Sequence, residues 1–377
     1  MSVHVASIGM GRYGKRPEGL IDLAAEAAAG ALEGVGRRPV DLLVAGSMLA
    51  HGPHGNEAVL PRLAARLGVE SASGLRVDSA SGTGGMAFHA AVLALGSGRF
   101  DRALVVASEK MTDRSTAENT KELAGSLHVS EVAAGATMPA LAAIVAQRYL
   151  QRYDLPAAVF DRATVHARAM AANNPFAQFQ KPVTPEEVAH SKMISTPLRL
   201  LHCSAMSDGA TAVVLERGVG DATVLGLGQG FESLRIVDRN DLTTFGATRV
   251  AAQRAYENAK AGPKEVGVAE VHDAFSPFLF IHIEDLGLCE VGQGPGALDK
   301  GELRIDGRVP VNPSGGVIGR GHPIAASGLA EIAEVALQLR GEAGAHATSQ
   351  RPKVGVAQAV SGIASHNFVT VLGRSEP

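Results

Sequence analysis

The 377-residue chain has little cysteine, no long hydrophobic run and no excess of charge of either sign. Its two cysteines, Cys203 and Cys289, are too few for a disulfide framework and fit a reducing compartment. No stretch reaches the roughly 18 apolar residues of a membrane span, and the first residues lack the pattern of a signal peptide. A net charge of −3, from interspersed acidic and basic residues, argues against a nucleic-acid-binding surface. We therefore expect a cytoplasmic protein.

Signatures of nucleotide and metal cofactors are also missing. Gly9-Met10-Gly11 lacks the third glycine that a dinucleotide-binding loop requires, and the chain has no phosphate-binding P-loop. His51 and His54 are spaced as a metal pair, but no cysteine or carboxylate stands at a matching spacing, which favours an ordinary glycine-rich loop. The sequence thus predicts no bound metal and no bound cofactor.

The most informative feature present is an internal repeat that relates the two halves of the chain. In each half an amphipathic helix leads through a Gly/Pro turn into a short apolar strand, and a glycine-rich loop later precedes a second helix and a second strand. In the first half these elements are predicted at residues 20–32, 40–45, 86–95 and 103–107. In the second half they are predicted at residues 247–260, 266–271, 327–339 and 354–357.

Such alternation predicts two α/β units, packed face to face about a pseudo-two-fold axis. A helix-rich insertion interrupts the first unit. Because a long insertion inside a compact unit is often functional, we expect it to cap a ligand. The predicted organisation is an N-terminal half at residues 1–112 and 197–218, an inserted cap domain at 113–196 and a C-terminal half at 219–377.

Ser81 stands where the first glycine-rich loop meets its helix, directly before Gly82, Gly84 and Gly85. These glycines would let a substrate approach the backbone, and the first turn of a helix presents free N–H groups that favour negative charge. A nucleophile or an oxyanion site is therefore one interpretation. From this segment alone, a serine that merely caps a tightly packed helix is the stronger alternative.

Two histidines lie at corresponding places in the second half. His322, in Gly321-His322-Pro323, is the counterpart of the Ser81 region, so the two loops would converge between the units. A neutral imidazole that faces a hydroxyl is a general-base arrangement, although a histidine beside proline, taken alone, is usually a loop residue. His272 follows a predicted buried strand, where polar side chains often line a site; the alternative is a histidine bonded to a backbone carbonyl.

Several motifs, in order along nearly the whole chain, resemble those of the thiolase superfamily and, within it, the sterol-carrier-protein type of thiolase. They are Glu109-Lys110-Met111-Thr112, Asn174-Pro175-Phe176-Ala177-Gln178-Phe179, Ser207-Asp208-Gly209-Ala210, His272-Asp273-Ala274-Phe275, Asn312-Pro313-Ser314-Gly315-Gly316 and Gly321-His322-Pro323. The resemblance implies an α/β thiolase fold, a duplicated αβαβα five-layered sandwich with an inserted cap. It also implies a homodimer or a dimer of dimers, and an acyl-CoA substrate whose coenzyme A lies under the cap.

The resemblance further implies roles for individual residues. Ser81 stands where the family's acyl-accepting cysteine is expected, His322 matches the histidine that activates it, and His272 matches the one that holds the thioester oxygen. The backbone N–H groups of Ser81 and Gly362 would form an oxyanion hole. Three residues of the second half's glycine motif would support these loops, namely Asn312, Gly315 and Gly316.

Both thiols of the family's chemistry are missing. Besides Ser81, Val360 stands where the second catalytic cysteine is expected, and Ala274 stands where the sterol-carrier type can place one. A serine hydroxyl is a far weaker acid than a thiol. Returning an acyl group from a serine ester to the sulfur of coenzyme A also runs uphill. The sequence therefore argues against ordinary reversible thiolysis.

Three functions stay open at this point. The first is an acyltransferase-like enzyme that transfers an acyl group, or makes or breaks a carbon–carbon bond, with Ser81 and His322. The second is a retro-aldol lyase that acts on a β-hydroxyacyl-CoA without a covalent acyl group; proteins of that sort, which this chain resembles, often work with a small OB-fold, zinc-ribbon partner subunit. The third is a non-catalytic acyl-CoA-binding subunit. We expect an enzyme, because both histidines and the glycine-rich loops are present.

Overall fold

The computed structural model describes residues 2–36, 38–49 and 58–374, and the histidine pair His51 and His54 lies outside these residues. The strands are β1 (Val3–Met10), β2 (Leu42–Gly46), β3 (Ser73–Val77), β4 (Arg102–Glu109), β5 (Met193–Ser195), β6 (Leu198–Arg199), β7 (Gly209–Arg217), β8 (Thr223–Phe231), β9 (Val268–Glu270), β10 (Val354–Ser361) and β11 (His366–Gly373). The α-helices are α1 (Leu20–Glu33), α2 (Val59–Leu67), α3 (Thr83–Gly96), α4 (Thr116–Leu123), α5 (Val129–Ala133), α6 (Met138–Tyr153), α7 (Val159–Ala171), α8 (Pro185–His190), α9 (Gly246–Ala259), α10 (Ser276–Asp285), α11 (Gly294–Asp299), α12 (Gly316–Arg320) and α13 (Ile324–Arg340).

A mixed sheet runs through the molecule in the strand order β3-β2-β4-β7-β1-β8-β11-β10-β9. Strand β2 pairs in parallel with β3 and β4, and β9 pairs in parallel with β10, whereas the other neighbours are antiparallel. The first five strands in this order come from one half of the chain and the last four from the other. The two half-sheets meet between β1 and β8, where His4 pairs with Thr223.

Helices α3 and α13 pack against each other and contact strands of both half-sheets, so they form a central layer. Helix α1 covers β1, β4 and β7 on one outer face, and α9 covers β8 and β11 on the other. The result is the five-layered α/β arrangement that the resemblance implied, with the two α/β units predicted from the repeat. Because α3 and α13 are equivalent elements of the two halves, the residues that precede them are equivalent too.

The glycines of the first loop have a different role from the one predicted. A Cβ on Gly82 would lie 2.9 Å from the ring of Phe368, and one on Gly85 would lie 3.1 Å from the Cβ of the same residue. A Cβ on Gly84 would overlap the backbone nitrogen of Leu329 in α13. The prediction that these glycines admit a substrate is therefore wrong. They are buried against protein and let the central helices approach each other and the sheet.

One predicted strand is shorter than expected. The apolar run at 266–271 forms only β9, because the backbone N–H and carbonyl of Val271 bond to the side chain of Asn312 instead of a neighbouring strand.

Between β4 and β7 the chain forms α4 to α8 and the β5–β6 hairpin. The domain boundaries at 112, 196 and 218 stay predictions. None of the helices within the described ranges is both long and apolar enough to cross a membrane.

The close approach of the central helices predicts a position-dependent cost of adding one methyl group to α3. Gly84→Ala should lower the free energy of unfolding by about 1–3 kcal/mol, because the new Cβ overpacks against α13. Gly96→Ala is the matched control, since nothing lies within 4 Å of a Cβ there. The chain has no tryptophan, so far-UV circular dichroism during urea unfolding is the suitable measurement. Equal midpoints for the two variants would contradict the packing described here.

Candidate active site

A cavity of about 400 Å³ opens between the beginnings of the central helices and the helices that follow β4. Its wall is mainly apolar and includes four methionines, Met48, Met111, Met138 and Met206. Four residues singled out from the sequence border this cavity together: Ser81, His272, His322 and Gly362. The structure thus brings one glycine-rich loop from each half of the chain to a common space.

Ser81 lies in a single 3₁₀ turn, Ala80–Gly82, directly before α3. Ala80 has a φ of 47°, in the left-handed region that costs energy for any residue with a Cβ. The turn is held by Asp78, whose Oδ1 accepts a hydrogen bond of 2.9 Å from the N–H of Ala80. The Oγ of Ser81 donates a hydrogen bond of 2.7 Å to the carbonyl of Val360. A carbonyl accepts a hydrogen bond but cannot take the proton, so this contact does not activate the hydroxyl as a nucleophile.

His272 follows β9 and is 2% exposed. Its Nδ1 lies 2.8 Å from Oε1 of Glu331, which is on α13. The backbone on its N-terminal side is fixed by Asn312, whose Oδ1 accepts from the N–H of Val271 at 2.7 Å and whose Nδ2 donates to the carbonyl of Val271 at 3.1 Å. The other ring nitrogen, Nε2, forms no hydrogen bond within the described ranges. It is the atom that His272 can offer to a ligand.

His322 lies at the start of α13 and is fixed at both its backbone and its ring. Its N–H donates to Oγ of Ser207 at 2.9 Å, and its Nδ1 lies 2.8 Å from Oγ of Ser327. The hydroxyl of Ser327 also lies 3.1 Å from the carbonyl of Pro323, four residues earlier, to which it can donate its one proton. In that arrangement it accepts a hydrogen bond from Nδ1, and the ring proton of His322 sits on Nδ1. Nε2 then carries a lone pair, which suits a general base.

The two imidazole rings form an edge-to-face pair with centroids 5.0 Å apart and an interplanar angle of 73°. Burial lowers the pKa of His272 to about 3, and the charge of Arg320 acts in the same direction. Burial also lowers the pKa of His322 well below its usual value, with further contributions from His272 and Arg320. Both rings are therefore neutral near pH 7, which is the form a base and a neutral hydrogen-bond donor require.

The predicted supporting loop lies behind the cavity wall rather than in it. Gly315 and Gly316 have φ values of 96° and 58°. A Cβ on Gly315 would overlap Ala171, and one on Gly316 would lie 2.6 Å from Oδ2 of Asp273. The loop needs glycine at both positions because it passes close to α7 and to the residue after His272. Together with Asn312, it sets the backbone on which His272 stands.

Several polar residues of the site were missed by the sequence reasoning. Ser327 and Glu331, which contact the two histidines, are four residues apart on α13 and so share one face of the helix. The available signal was the spacing of two polar residues by four positions in an Ala-rich helix. Asp208 is another polar residue whose role was not predicted. It accepts hydrogen bonds of 2.8 Å from Nζ of Lys110 and 2.7 Å from the N–H of Met111. These bonds fix one of the methionines of the cavity wall.

Neither cysteine offers an ionised thiol near neutral pH. Cys203 borders the cavity, and burial raises its pKa to about 12, so its sulfur stays protonated. Burial likewise raises the pKa of Cys289 to about 12, and Cys289 packs against the large apolar core. Within the part of the chain that the structure describes, no group of three or more His, Cys, Asp or Glu side chains is arranged to hold a metal ion.

Comparisons with known proteins agree over both halves of the chain. Residues 3–218 match the family described as Thiolase, N-terminal domain, and residues 228–374 match Thiolase C-terminal domain-like. The chain is 37% identical to an acetyl-CoA acetyltransferase of Methanothermobacter thermautotrophicus, over 94% of each protein. It is 31% identical to the benzoylsuccinyl-CoA thiolase subunit BbsB of Thauera aromatica, over 96% of this chain and 94% of that protein.

Two solved structures share the fold. The one described as an Ltp2-ChsH2(DUF35) aldolase has a TM-score of 0.84 and 25% identity, and the match covers 99% of this chain and 98% of that chain. A monomeric SCP2-thiolase-like protein type 1 from Mycobacterium smegmatis has a TM-score of 0.76 and 18% identity, covering 100% of this chain and 78% of that one. At 18% identity the second likeness concerns the fold alone.

The neutral, buried His272 predicts a loss of stability in acid. In the unfolded chain this ring takes up a proton near pH 6.5, whereas in the folded chain it does so only near pH 3. Between these values the unfolded state binds the extra proton, so the free energy of unfolding falls as pH falls, by up to about 1.4 kcal/mol per pH unit for one such group. His272→Asn should therefore weaken the pH dependence measured by urea unfolding between pH 7 and 5.

The exposed His190, changed to Asn, is the matched control for loss of a histidine. A His272→Asn variant whose stability varies with pH as steeply as the wild type would show that this ring does not enter the native state neutral.

Proposed function

The chain belongs to the thiolase family, and from this premise we propose that it cleaves or forms a carbon–carbon bond of an acyl-CoA thioester by an aldol-type step without a covalent acyl-enzyme. In the cleavage direction the substrate is a β-hydroxyacyl-CoA. The products are a carbonyl compound and a shorter acyl-CoA. The apolar, methionine-rich wall of the cavity is suited to the acyl group.

The two histidines supply the chemistry in this proposal. Nε2 of His322 takes the proton of the β-hydroxyl as the bond between Cα and Cβ breaks, and a carbonyl group forms at Cβ. The electron pair of the broken bond moves into the thioester, whose oxygen becomes an enolate that His272 stabilises by a hydrogen bond. The protonated His322 then returns its proton to Cα. We assign the backbone N–H groups of Ser81 and Gly362 to the oxygen on Cβ.

The hydrogen bond from Ser81 to Val360 is the observation that carries this proposal. A covalent mechanism needs a base to take the proton of the nucleophile, but the hydroxyl is bonded to a backbone carbonyl instead. Val360 and Ala274 also stand where the family's second thiol is expected, and Cys203 stays protonated. An aldol-type step needs a base and an oxyanion donor but no thiol, so these substitutions leave it intact.

Acyl transfer through Ser81 is the second candidate. The relative from Methanothermobacter thermautotrophicus, at 37% identity, is named an acetyl-CoA acetyltransferase, and Ser81 and His322 border one cavity. For this mechanism the Ser81 side chain must leave Val360 and turn toward an imidazole. The product would be a serine ester, from which return of the acyl group to coenzyme A sulfur is uphill.

A partner subunit belongs to the proposal as well. One similar solved structure is described as an Ltp2-ChsH2(DUF35) aldolase. By analogy we propose that this chain works with a small OB-fold, zinc-ribbon protein, in addition to pairing with a second copy of itself. Co-expression with such a protein from the same genome, followed by size-exclusion chromatography, should yield a stable complex. Two proteins that elute separately at micromolar concentration would count against this part.

Two substitutions separate the mechanisms. His322→Ala should reduce the release of the shorter acyl-CoA by about 10²–10⁴-fold, because the general base is lost. Ser81→Ala should retain activity within about tenfold, because its backbone N–H remains and its hydroxyl has no chemical step to perform. The substrates are β-hydroxyacyl-CoA thioesters of increasing chain length, and the products are measured by chromatography. Mass spectrometry of the wild-type protein after incubation should show no acyl adduct.

An acyl adduct on Ser81, together with an equally large loss in Ser81→Ala and His322→Ala, would overturn the aldol-type step in favour of acyl transfer. A protein that binds these thioesters as tightly after His322→Ala and turns none of them over, alone or with its partner, would be a binding subunit.

A further inference from the structure

Helix α13 contacts the imidazoles of both His272 and His322. Ser327 and Glu331 are one turn apart on α13, and each contacts the Nδ1 atom of a different histidine, at 2.8 Å in both cases. The two contacts differ in kind. A hydroxyl that can donate to the carbonyl of Pro323, and in that arrangement accepts from Nδ1, faces His322, whereas a carboxyl group faces Nδ1 of His272.

The surroundings of Glu331 favour its neutral form. The side chain is fully buried, and its Oε2 has no hydrogen-bond partner within the described ranges. The nearby cation, Arg320, directs its guanidinium to Glu270 at 3.5 Å and to Oγ of Ser314 at 3.0 Å rather than to Glu331. Burial raises the pKa of Glu331 well above its usual value, although the charge of Arg320 opposes the shift.

The proton of a neutral Glu331 can sit on either carboxyl oxygen, and the two positions differ in whether an acceptor is available. On Oε2 the proton would be a buried donor without an acceptor, which costs about 1–3 kcal/mol. On Oε1 it is donated to Nδ1 of His272 across 2.8 Å. Nδ1 is then an acceptor, and the ring proton of the neutral imidazole sits on Nε2. The cavity thus contains one imidazole whose Nε2 is a donor and one, His322, whose Nε2 is an acceptor.

We infer that Glu331, as a neutral carboxylic acid, is the positioning residue that makes His272 a hydrogen-bond donor toward a substrate oxygen in the cavity. The use of that donor for an enolate rests on the proposed function, but the proton arrangement itself does not.

Ionisation of Glu331 would reverse the arrangement. A carboxylate accepts the proton of Nδ1, so Nε2 of His272 would become an acceptor and the donor to the substrate would be lost. Activity should therefore fall as pH rises through the pKa of Glu331. The charged and titratable groups that act on this carboxyl are His272 itself, Arg320 from α12, Asp273 beside His272 and Tyr13 behind α13.

The test compares three variants of the whole protein. Glu331→Gln keeps a donor to Nδ1 that cannot ionise, so kcat should stay within about threefold of wild type while the alkaline fall disappears. Glu331→Ala removes the donor, and kcat should fall by about 10–100-fold with little change in KM. Glu334→Gln is the matched control, because Glu334 is buried on the same helix but contacts His346 instead, at 2.9 Å. It should keep the alkaline fall.

A second measurement needs no substrate. In protein labelled with ¹⁵N-histidine, the signals of His272 and His322 are assigned by their loss in the His272→Asn and His322→Asn variants. At pH 7 the wild type and Glu331→Gln should show His272 protonated on Nε2 and His322 protonated on Nδ1. These signals report the proton arrangement even if no thioester is turned over, so a failure of the proposed function is distinguishable from a failure of this inference.

The inference is overturned if wild-type His272 carries its proton on Nδ1, or if Glu331→Gln loses as much activity as Glu331→Ala. An alkaline fall that persists unchanged in Glu331→Gln would assign it to another group and would also overturn the role given to Glu331.

Discussion

The close packing of α3 against α13 is the constraint on which the rest of the structure depends. Gly84 lets the backbones of these helices approach so closely that a single Cβ would overlap the nitrogen of Leu329. Because the two helices are equivalent elements of the duplicated unit, their contact brings Ser81 and His322 to one cavity. The half-sheets are joined at the pair His4 and Thr223.

The acid–base groups of the site are buried in their neutral forms. His272, His322 and Glu331 all lie in a desolvated region where the charged form of each is disfavoured, and the charge of Arg320 further disfavours the charged forms of the two histidines. A neutral site of this kind can accept a developing negative charge on a substrate oxygen without first losing a bound counter-ion. Because these groups are neutral, hydrogen bonds rather than ion pairs determine whether Nε2 of each histidine is a donor or an acceptor toward the cavity.

The fold, and the approach of Ser81 and His322 to one cavity, could be predicted from sequence, because the repeat identifies equivalent loops before equivalent helices. The hydrogen-bond partners could not. Whether Glu331 faces solvent or a histidine depends on how α13 packs between two sheets, and its sequence is Ala-rich on several faces. The bond from Ser81 to Val360 joins residues 279 positions apart. The glycines near Ser81 were misread because close helix packing and close substrate approach require the same residue type.

The placement of Ser327 and Glu331 on one helical face has a consequence for how such a site can change over time. Each residue of an α-helix is rotated by about 100° from the previous one, so an insertion or deletion early in α13 would detach both rings together. A length change before Ser327 therefore cannot displace one of these contacts without the other. At that end of the helix, only a substitution in place can change one contact and leave the other intact.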